Sequence, residues 1–548
     1  MTRWAMLESV LDAVVAGDQD LATERAGADP DEAWSLGLRA FTRFLASDHV
    51  GTATLAAAAS RAVGPDDAEA RALARAVAGL AAAGSTGARS DPDPLIDALG
   101  DLGGIPAGPV GDFLRYLLAE ASLACARLDL GARFVEATPG DPASFPHVFR
   151  VVIQLMRVRL LVFRGQIGDA TALLATIERG GPPPLMLLVE ATECLARGNA
   201  AERAQVRALA DRVEAARPDP ADYLSAGTYL LVAFGLVAVG DVRRSARLAL
   251  HAGRDSALSS FTVVDRGLGL ELLLAAAAIE GDLDAAESWL TVAEPLLESP
   301  IANSTVQRMT SRIELMRGNP ASAVEWADRA VASARAEGRV VEAVEGEIVA
   351  ARARIAASRA GDASARLEAM IGATDEAGHL AARRSASREL RAAGRRLRPT
   401  AGSEWAGLSE RERDIALMVA EGLGNREIAA DLHLSEHTVR AHVSRVLAAF
   451  GAASRFAVAA RVAELFPDPA AAPVTALTPR QAAVAEHIAR GAGNAEIGGD
   501  LGLSIKTVEK HIGEIFRRWE VGSRVGIARI VRSQALVTII TEATPAPD

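Results

Sequence analysis

An internal duplication near the end of the 548-residue chain restricts its fold more than any other feature. Residues 408–455 align with residues 477–524 at a constant offset of 69, without gaps, and 18 of the 48 aligned positions are identical. Such a repeat predicts two copies of one small domain in tandem.

Each copy carries the local signals of three short helices. A capping box begins the first helix, glycine ends it, and a polar N-cap candidate stands before the second and the third helix. These signals are Ser409 with Glu412, Gly422, Asn425 and Ser435 in the first copy, and Thr478 with Gln481, Gly491, Asn494 and Ser504 in the second. Two short helices joined by a three- to four-residue turn form a helix-turn-helix (HTH) motif, whose second helix enters the major groove of DNA.

The apolar residues between the caps complete the motif. Ile428, Leu432, Leu434 and Val439 are spaced to form a small core between the second and third helices. The segments LSERERDIALMVAEGLGNREIAADLHLSEHTVRAHVSRV and LTPRQAAVAEHIARGAGNAEIGGDLGLSIKTVEKHIGEIF both resemble the LuxR (FixJ/NarL-like) DNA-binding domain. The resemblance implies two small tetrahelical HTH domains, at residues 404–466 and 474–536, with residues 467–476 as an extended linker.

The resemblance also implies which residues contact double-stranded DNA. The base-reading positions map to Arg440, Ala441 and Ser444, and to Glu509, Lys510 and Gly513. Arg440 is the best candidate, because a guanidinium can donate two hydrogen bonds to guanine. Further DNA contacts are expected from Thr438, His442, Arg445, Lys506, Thr507, His511, Arg517 and Arg518.

The two copies differ in charge and in helix propensity. Residues 404–466 carry a net charge of −2 and residues 474–536 a net charge of +3, so the remainder of this −11 chain carries −12. The two lysines of the chain, Lys506 and Lys510, both lie in the second copy. Glycine at 498, 499 and 513 costs that copy about 1 kcal/mol of helix stability per site relative to alanine. We therefore expect the second copy to have more phosphate affinity and the first to have the firmer fold.

Before residue 400 the chain is also predicted to be helical, because Ala, Leu, Arg and Glu dominate. From the middle of the chain, Gly followed by Asp or Asn recurs between amphipathic runs, at 168–169, 198–199, 240–241, 281–282, 318–319 and 361–362. Glycine can end one helix and the polar residue can cap the next. The pattern is similar to tetratricopeptide-like (TPR-like) arrays and predicts an α-solenoid over 161–398, after a helical region of unclear repeats over 1–160. The alternative is an irregular helical bundle.

Several classes of function are not expected. No lysine precedes 506, so a Walker A P-loop is excluded, and neither a GxSxG elbow nor an HExxH motif occurs. We therefore predict no enzyme, no cofactor and no metal site. Two cysteines, Cys125 and Cys194, are interpreted as small buried hydrophobic residues. The uncharged stretch from Tyr223 to Gly240 is interpreted as a buried repeat helix rather than a membrane span, and a cytoplasmic, nucleoid-associated protein is expected.

The fold class predicted is therefore all-α, a helical-repeat solenoid followed by two HTH domains. The chain is similar to the large LuxR regulators of actinobacteria, but without their N-terminal ATPase. We expect a transcription regulator whose helical region senses a protein or a small molecule. A homodimer is expected, although one chain could occupy two adjacent half-sites. The alternative is a protein-interaction scaffold in which one or both HTH units serve as dimerisation modules.

Overall fold

The chain forms two compact units, Met1–Arg396 and Leu397–Asp548. The computed structural model describes residues 2–27, 31–85, 93–105, 107–136, 147–177, 179–394, 405, 408–420, 423–432, 434–465, 477–489, 492, 494–519, 527 and 531. Within these residues the secondary structure is helical without a strand, which confirms the all-α prediction.

The first unit is built from short helices in antiparallel succession. Its first eight are α1 (Arg3–Val15), α2 (Gln19–Ala26), α3 (Glu32–Leu45), α4 (His49–Ala62), α5 (Ala68–Ser85), α6 (Pro94–Asp101), α7 (Pro109–Ala124) and α8 (Leu128–Glu136). The next thirteen are α9 (Val148–Phe163), α10 (Ile167–Leu174), α11 (Pro183–Asn199), α12 (Arg203–Ala216), α13 (Tyr223–Ala238), α14 (Val242–Gly253), α15 (Val263–Glu280), α16 (Leu283–Ala293), α17 (Asn303–Met316), α18 (Pro320–Ala336), α19 (Val340–Ala356), α20 (Ala360–Glu376) and α21 (Leu380–Ala392). Short 3-10 turns follow α6 and α16, at Leu102–Gly104 and Glu294–Glu298.

One type of turn joins the helices of each hairpin from α9 to α20. A single residue with φ of 61–87° reverses the chain, and these residues recur every 36–41 positions, at Gly165, Ala201, Gly240, Gly281, Gly318 and Ser358. The N–H of this residue donates to the carbonyl three residues before it. The next N–H donates to the carbonyl five residues before it, and both bonds measure 2.7–3.3 Å at every hairpin. This is the Schellman arrangement, which satisfies carbonyls that the helix end would leave unpaired.

The Gly-Asp and Gly-Asn pairs predicted these turns only in part. Gly240, Gly281 and Gly318 stand where expected. The other three predictions were wrong: Gly168 and Gly361 lie inside the first turn of α10 and α20, and Gly198 lies inside the end of α11. The reversals there use Gly165, Ala201 and Ser358, because flanking helix packing can hold a non-glycine residue in a conformation that costs about 1–2 kcal/mol.

The same turn also occurs in the part of the chain where the sequence showed no clear repeat. Gly17, Ser47 and Ala126 have φ of 76°, 58° and 55° and join α1 to α2, α3 to α4 and α7 to α8. Each makes the same pair of backbone hydrogen bonds. Stacked helical hairpins therefore extend through the first unit from its N-terminal helices, around a core that includes Trp34 and Phe113.

The odd-numbered helices from α9 to α21 are called the inner helices here. Each contacts the next inner helix, and each is also covered by an even-numbered partner. The array closes on itself: α9 contacts α19, and α11 contacts α21. At the closure, the N–H of Gly168 donates to the carbonyl of Ala377 (3.0 Å), and Arg384 donates to the carbonyl of Ala201 (2.7 Å).

Helices α11 and α13 approach each other closely through two glycines. A Cβ on Gly235 would lie 2.4 Å from the carbonyl oxygen of Cys194, and a Cβ on Gly198 would lie 2.5 Å from that of Gly235. The uncharged stretch that begins at Tyr223 is α13, packed against α11 and α14. In the part of the chain that the structure describes, no helix is long and apolar enough for a membrane crossing. Cys194 is fully buried as predicted, whereas Cys125 is half-buried.

Substitution Gly235→Ala should destabilise the first unit because the added methyl group overlaps backbone atoms that cannot move independently. We expect a loss of about 1–3 kcal/mol in the free energy of unfolding, measured by urea denaturation with circular dichroism. Gly227→Ala, on the same helix with no atom within 4 Å of its added Cβ, should be neutral or stabilising by about 0.5–1 kcal/mol. Equal effects of the two substitutions would contradict the close approach.

The turn between α20 and α21, next to the closure, contains a buried histidine. His379 is 2% exposed, and burial lowers its pKa to about 4. A histidine with a lowered pKa binds fewer protons in the folded state than in the unfolded state, so stability decreases as the pH falls below about 6.5.

We expect the free energy of unfolding of the wild type to fall, relative to that of His379→Gln, by up to about 3 kcal/mol between pH 7 and pH 4. Urea denaturation of both proteins across this range measures the difference. Parallel pH profiles for the two proteins would show that His379 is not the group that titrates.

Candidate DNA-binding domains

The second unit contains the duplicated segment. Its described helices are α22 (Glu410–Ala420), α23 (Asn425–Asp431), α24 (Glu436–Ala449), α25 (Arg455–Leu465), α26 (Pro479–Ala489), α27 (Asn494–Leu501) and α28 (Ile505–Trp519). The first copy thus has four helices. The second has three, followed by helical residues at Ile527 and Val531. Gly422, Gly491 and the predicted linker 467–476 lie outside the described residues.

The caps that begin the first and third helices are formed as predicted. Ser409 and Glu412 exchange hydrogen bonds, since the N–H of Ser409 donates to the carboxylate (3.0 Å) and the N–H of Glu412 donates to the serine oxygen (3.3 Å). Thr478 and Gln481 do the same in the second copy, at 3.1 and 3.3 Å. Ser435 and Ser504 directly precede the third helices, and their hydroxyl oxygens accept from the N–H of Thr438 and of Thr507, both at 3.1 Å.

The predicted core between the second and third helices is present. Ile428 and Val439 are fully buried, and Leu432 and Leu434 pack against the same cluster. In the second copy Ile497 and Val508 are fully buried in an equivalent cluster. Each third helix is therefore held by one apolar face, and exposed residues lie on the opposite face.

Asn425 does not cap α23, which corrects the prediction. It is the first residue of the helix, and the N–H of Gly424 before it donates to Glu427 (2.6 Å). The side-chain oxygen of Asn425 instead accepts a hydrogen bond from Arg455 (2.8 Å), which also donates to the carbonyl of Leu423 (2.7 Å). A charged donor 30 residues away makes the stronger bond, so Asn425 anchors the fourth helix to the second. Asn494 begins α27 in the second copy.

Two other arginines of the duplicated framework have a structural role that sequence analysis did not assign. Arg411 donates to the carbonyl of Leu432 (3.4 Å), and Arg480 donates to that of Leu501 (2.5 Å). In both copies the first helix thereby satisfies a carbonyl at the end of the second helix. The sequence signal for this role was that both the arginine and the leucine 21 residues after it are identical in the two copies.

The third helix of the first copy, α24, presents a polar face to solvent. Arg440, Ala441 and Ser444 are exposed there, on the side opposite the buried Val439 and Val443. His437, which is not among the predicted contacts, is exposed on the same face. The alignment at an offset of 69 pairs it with Lys506.

Two predicted contacts of α24 are engaged within the domain. The guanidinium of Arg445 lies 2.8 Å from the carboxylate of Glu412 and 2.7 Å from Nδ1 of His442. Burial and the charge of Arg445 lower the pKa of His442. Burial opposes ionisation of Glu412, but the hydrogen bonds from Ser409 and the charge of Arg445 hold its pKa below the ordinary value. Arg445 is thus oriented by the capping box of α22.

The third helix of the second copy, α28, exposes more charge. Lys506, Glu509 and Lys510 are exposed, while Thr507, His511 and Gly513 are half-buried. Ile505, at the start of the helix, is 51% exposed. Arg518 donates to the side-chain oxygen of Gln481 (3.3 Å), and Nδ1 of His511 lies 3.8 Å from Glu514. Arg517 belongs to α28, but its side chain lies outside the described part of the chain.

Comparison with known proteins identifies the class of these two domains. Residues 406–463 and 475–531 each match the model of the family "Bacterial regulatory proteins, luxR family". Both copies are therefore LuxR-family HTH domains, as the motif resemblance indicated.

The relatives of known sequence match short parts of this chain and of their own length. An HTH-type transcriptional regulator of Mycobacterium bovis is 45% identical over 65 residues, which cover 12% of this chain and 7% of that protein. The transcriptional regulatory protein YhcZ of Bacillus subtilis is 48% identical over 48 residues, 9% of this chain and 22% of YhcZ. One chain in the crystal structure of the APC/C hetero-tetramer Cut9–Hcn1 is 12% identical to this protein. The match covers 72% of this protein and 93% of that chain. Its TM-score of 0.23 is too low to indicate a shared fold.

Substitution Arg455→Ala should release α25 from α23, because it removes two charge-assisted hydrogen bonds and leaves Asn425 and Leu423 without this donor. We expect amide protection in α25 to fall about tenfold or more, equivalent to about 1–3 kcal/mol. Hydrogen exchange of the full chain measures this change. Arg426→Ala, an exposed residue of α23, should change protection by less than about 0.5 kcal/mol, and unchanged protection in both variants would contradict the anchoring role.

Proposed function

We propose that the protein is a transcription regulator that binds double-stranded DNA in a sequence-specific manner through α24 and α28. The observation that carries the proposal is the free outer face of each third helix, with Arg440 on one and Lys506 and Lys510 on the other. Each of these side chains is exposed and has no hydrogen bond or ion pair with another described residue. A helix held on a buried apolar stripe, with cationic residues pointing outward, suits the major groove.

The two domains are proposed to contribute differently to DNA binding, one to sequence preference and the other to attraction for phosphate. In α24 the arginine at 445 is already paired with Glu412, which leaves Arg440 as the base-reading cation. In α28 Lys506 and Lys510 flank Glu509, so the second domain supplies phosphate attraction. Glu509 can accept a hydrogen bond from cytosine. We assign sequence preference chiefly to the first domain and salt-dependent affinity chiefly to the second.

The remainder of the chain is proposed to receive the signal. The array of helical hairpins encloses an internal space lined by the inner helices, and closed arrays of this kind offer sites for small molecules. Two chains are further proposed to pair, so that symmetric half-sites are bound. The acidic charge outside the HTH domains opposes non-specific adhesion to DNA.

Substitution Arg440→Ala in the full chain should relax specificity at one base pair per half-site, with a loss of about 1–3 kcal/mol there. Selection of binding sequences from a random duplex pool identifies the preferred site. Fluorescence anisotropy with single-base variants of that site then measures the loss. Arg243→Ala, an exposed residue on α14 of the first unit, is the matched control and should leave binding unchanged.

Two outcomes would contradict this assignment at different levels. A uniform loss over all sequences in Arg440→Ala would make Arg440 a phosphate contact rather than a base reader. A full chain without sequence preference, and without salt-sensitive affinity for duplex DNA, would contradict DNA binding itself and favour a scaffold in which the HTH units pair with each other.

A further inference from the structure

The first unit contains a cavity of about 480 Å³, which we call the lumen. It is lined by residues from all seven inner helices, among them Leu195, Phe234, Leu272 and Val349. Cavities that bind small molecules measure roughly 300–1,000 Å³ and have mainly apolar walls with a few polar groups. The size and the walls of the lumen match that description.

One charged pair in the lumen is complete by itself. Arg308 of α17 is 1% exposed and forms a two-pronged hydrogen bond with the carboxylate of Glu271 on α15, with Nε 2.9 Å from Oε1. Its remaining terminal nitrogen donates to the carbonyl of Glu342 (3.4 Å), and the hydroxyl of Thr305 lies 3.4 Å from the terminal nitrogen that also contacts Glu271. Arg308 therefore has its acceptors and needs no further group.

Arg312, one turn further along α17, lacks such acceptors. Its nearest carboxylate is that of Glu271, at 3.6 Å, and this group already serves Arg308. Nε of Arg312 is buried and has no hydrogen-bond partner among the described residues. An unmet buried donor of this kind destabilises the folded state, and a charged donor does so more strongly. The guanidinium is thus prepared for an acceptor that enters the lumen.

Glu345 of α19 lines the same lumen. No ion pair joins it to Arg312, and no described residue donates to its carboxylate. Burial raises the pKa of Glu345, so it takes the protonated form more readily and can then donate a hydrogen bond. A guanidinium and a carboxyl group without mutual contact therefore line the same cavity.

The charge of the lumen selects the kind of anion. Two charged residues of the wall have partners outside it, since Arg352 is paired with Glu389 and Glu342 with Arg339, both at 2.7 Å, and Arg388 is exposed. With Glu345 protonated, Arg308 and Arg312 then exceed Glu271 by one positive charge. A carboxylate carries one negative charge and fits the planar fork of arginine. A phosphate dianion would bring two negative charges close to the carboxylate of Glu271, and one excess positive charge does not balance them.

We propose that the lumen binds a small amphiphilic monocarboxylate, with its carboxylate held between Arg312 and Glu345 and its apolar body against Phe234 and Leu272. The inference extends the proposed function, because such a ligand would be the signal that the first unit receives. Binding completes the hydrogen bonds of Arg312 and removes apolar ligand surface from water. The ligand class follows from these side chains alone.

The test is isothermal titration calorimetry of the full chain with octanoate and 4-phenylbutyrate as probes, with octan-1-ol and inorganic phosphate as comparisons. Both carboxylates should bind at one site per chain, and the alcohol and phosphate should bind at least tenfold more weakly. Arg312→Met should weaken carboxylate binding at least tenfold. Arg243→Met, on the exposed side of α14, should not change it.

A second variant separates filling of the lumen from loss of charge. Ala275 lines the lumen, so Ala275→Trp should abolish carboxylate binding while every charged group remains, and circular dichroism checks that both variants are folded. Absence of carboxylate binding by the wild type, equal binding of octan-1-ol, or wild-type affinity in Arg312→Met would each overturn the proposal. DNA affinity is measured on the same samples without probe, and its retention in any of these cases leaves the proposed DNA-binding function intact.

Discussion

The reversal of the chain at single residues of positive φ is the constraint on which the first unit depends. At each reversal, two backbone N–H groups donate to two carbonyls at the end of the preceding helix. The next helix then runs antiparallel to the previous one. Because the same geometry recurs every 36–41 residues from Gly165 to Ser358, successive hairpins stack in the same way. The regular stacking brings all inner helices to one side, and this side encloses the lumen.

A different device stabilises the HTH domains, which are too small for a large core. Arginines far apart in sequence reach the carbonyls at helix ends: Arg411 and Arg480 at the end of the second helix, and Arg455 before it. Charge-assisted hydrogen bonds of this kind satisfy backbone groups that no neighbouring turn can reach. The third helix is consequently held by its core face and its cap, and its outer face carries exposed residues such as Arg440 and Lys510.

The two HTH domains share this framework but differ in what they expose. Glu412 serves both as a capping residue and as the partner of Arg445, so one carboxylate couples the start of α22 to the orientation of α24. In the second copy Gln481 holds the capping position and accepts from Arg518 without a negative charge. The first copy thus has a carboxylate (Glu412) where the second has an amide (Gln481). This difference changes the charge next to the third helix, but both side chains cap the first helix.

The sequence by itself determined the features that depend on local chemistry. Its caps at Ser409, Thr478, Ser435 and Ser504, the buried Ile428 and Val439, and the exposed Arg440 were all predicted, because capping and helical periodicity act over three to seven residues. The prediction that helical hairpins follow one another was also confirmed, although three of the six glycine pairs do not lie at the turns.

Only the tertiary structure decided the rest, since those features depend on groups distant in sequence. Asn425 looked like a cap and is instead the acceptor of Arg455, a contact over 30 residues. Ala201 and Ser358 adopt a conformation that favours glycine, because packing of the flanking helices outweighs their local preference. The shared carboxylate of Glu271 and the unmatched Arg312 become apparent only once α15, α17 and α19 lie side by side, because charges are balanced in space and not along the chain.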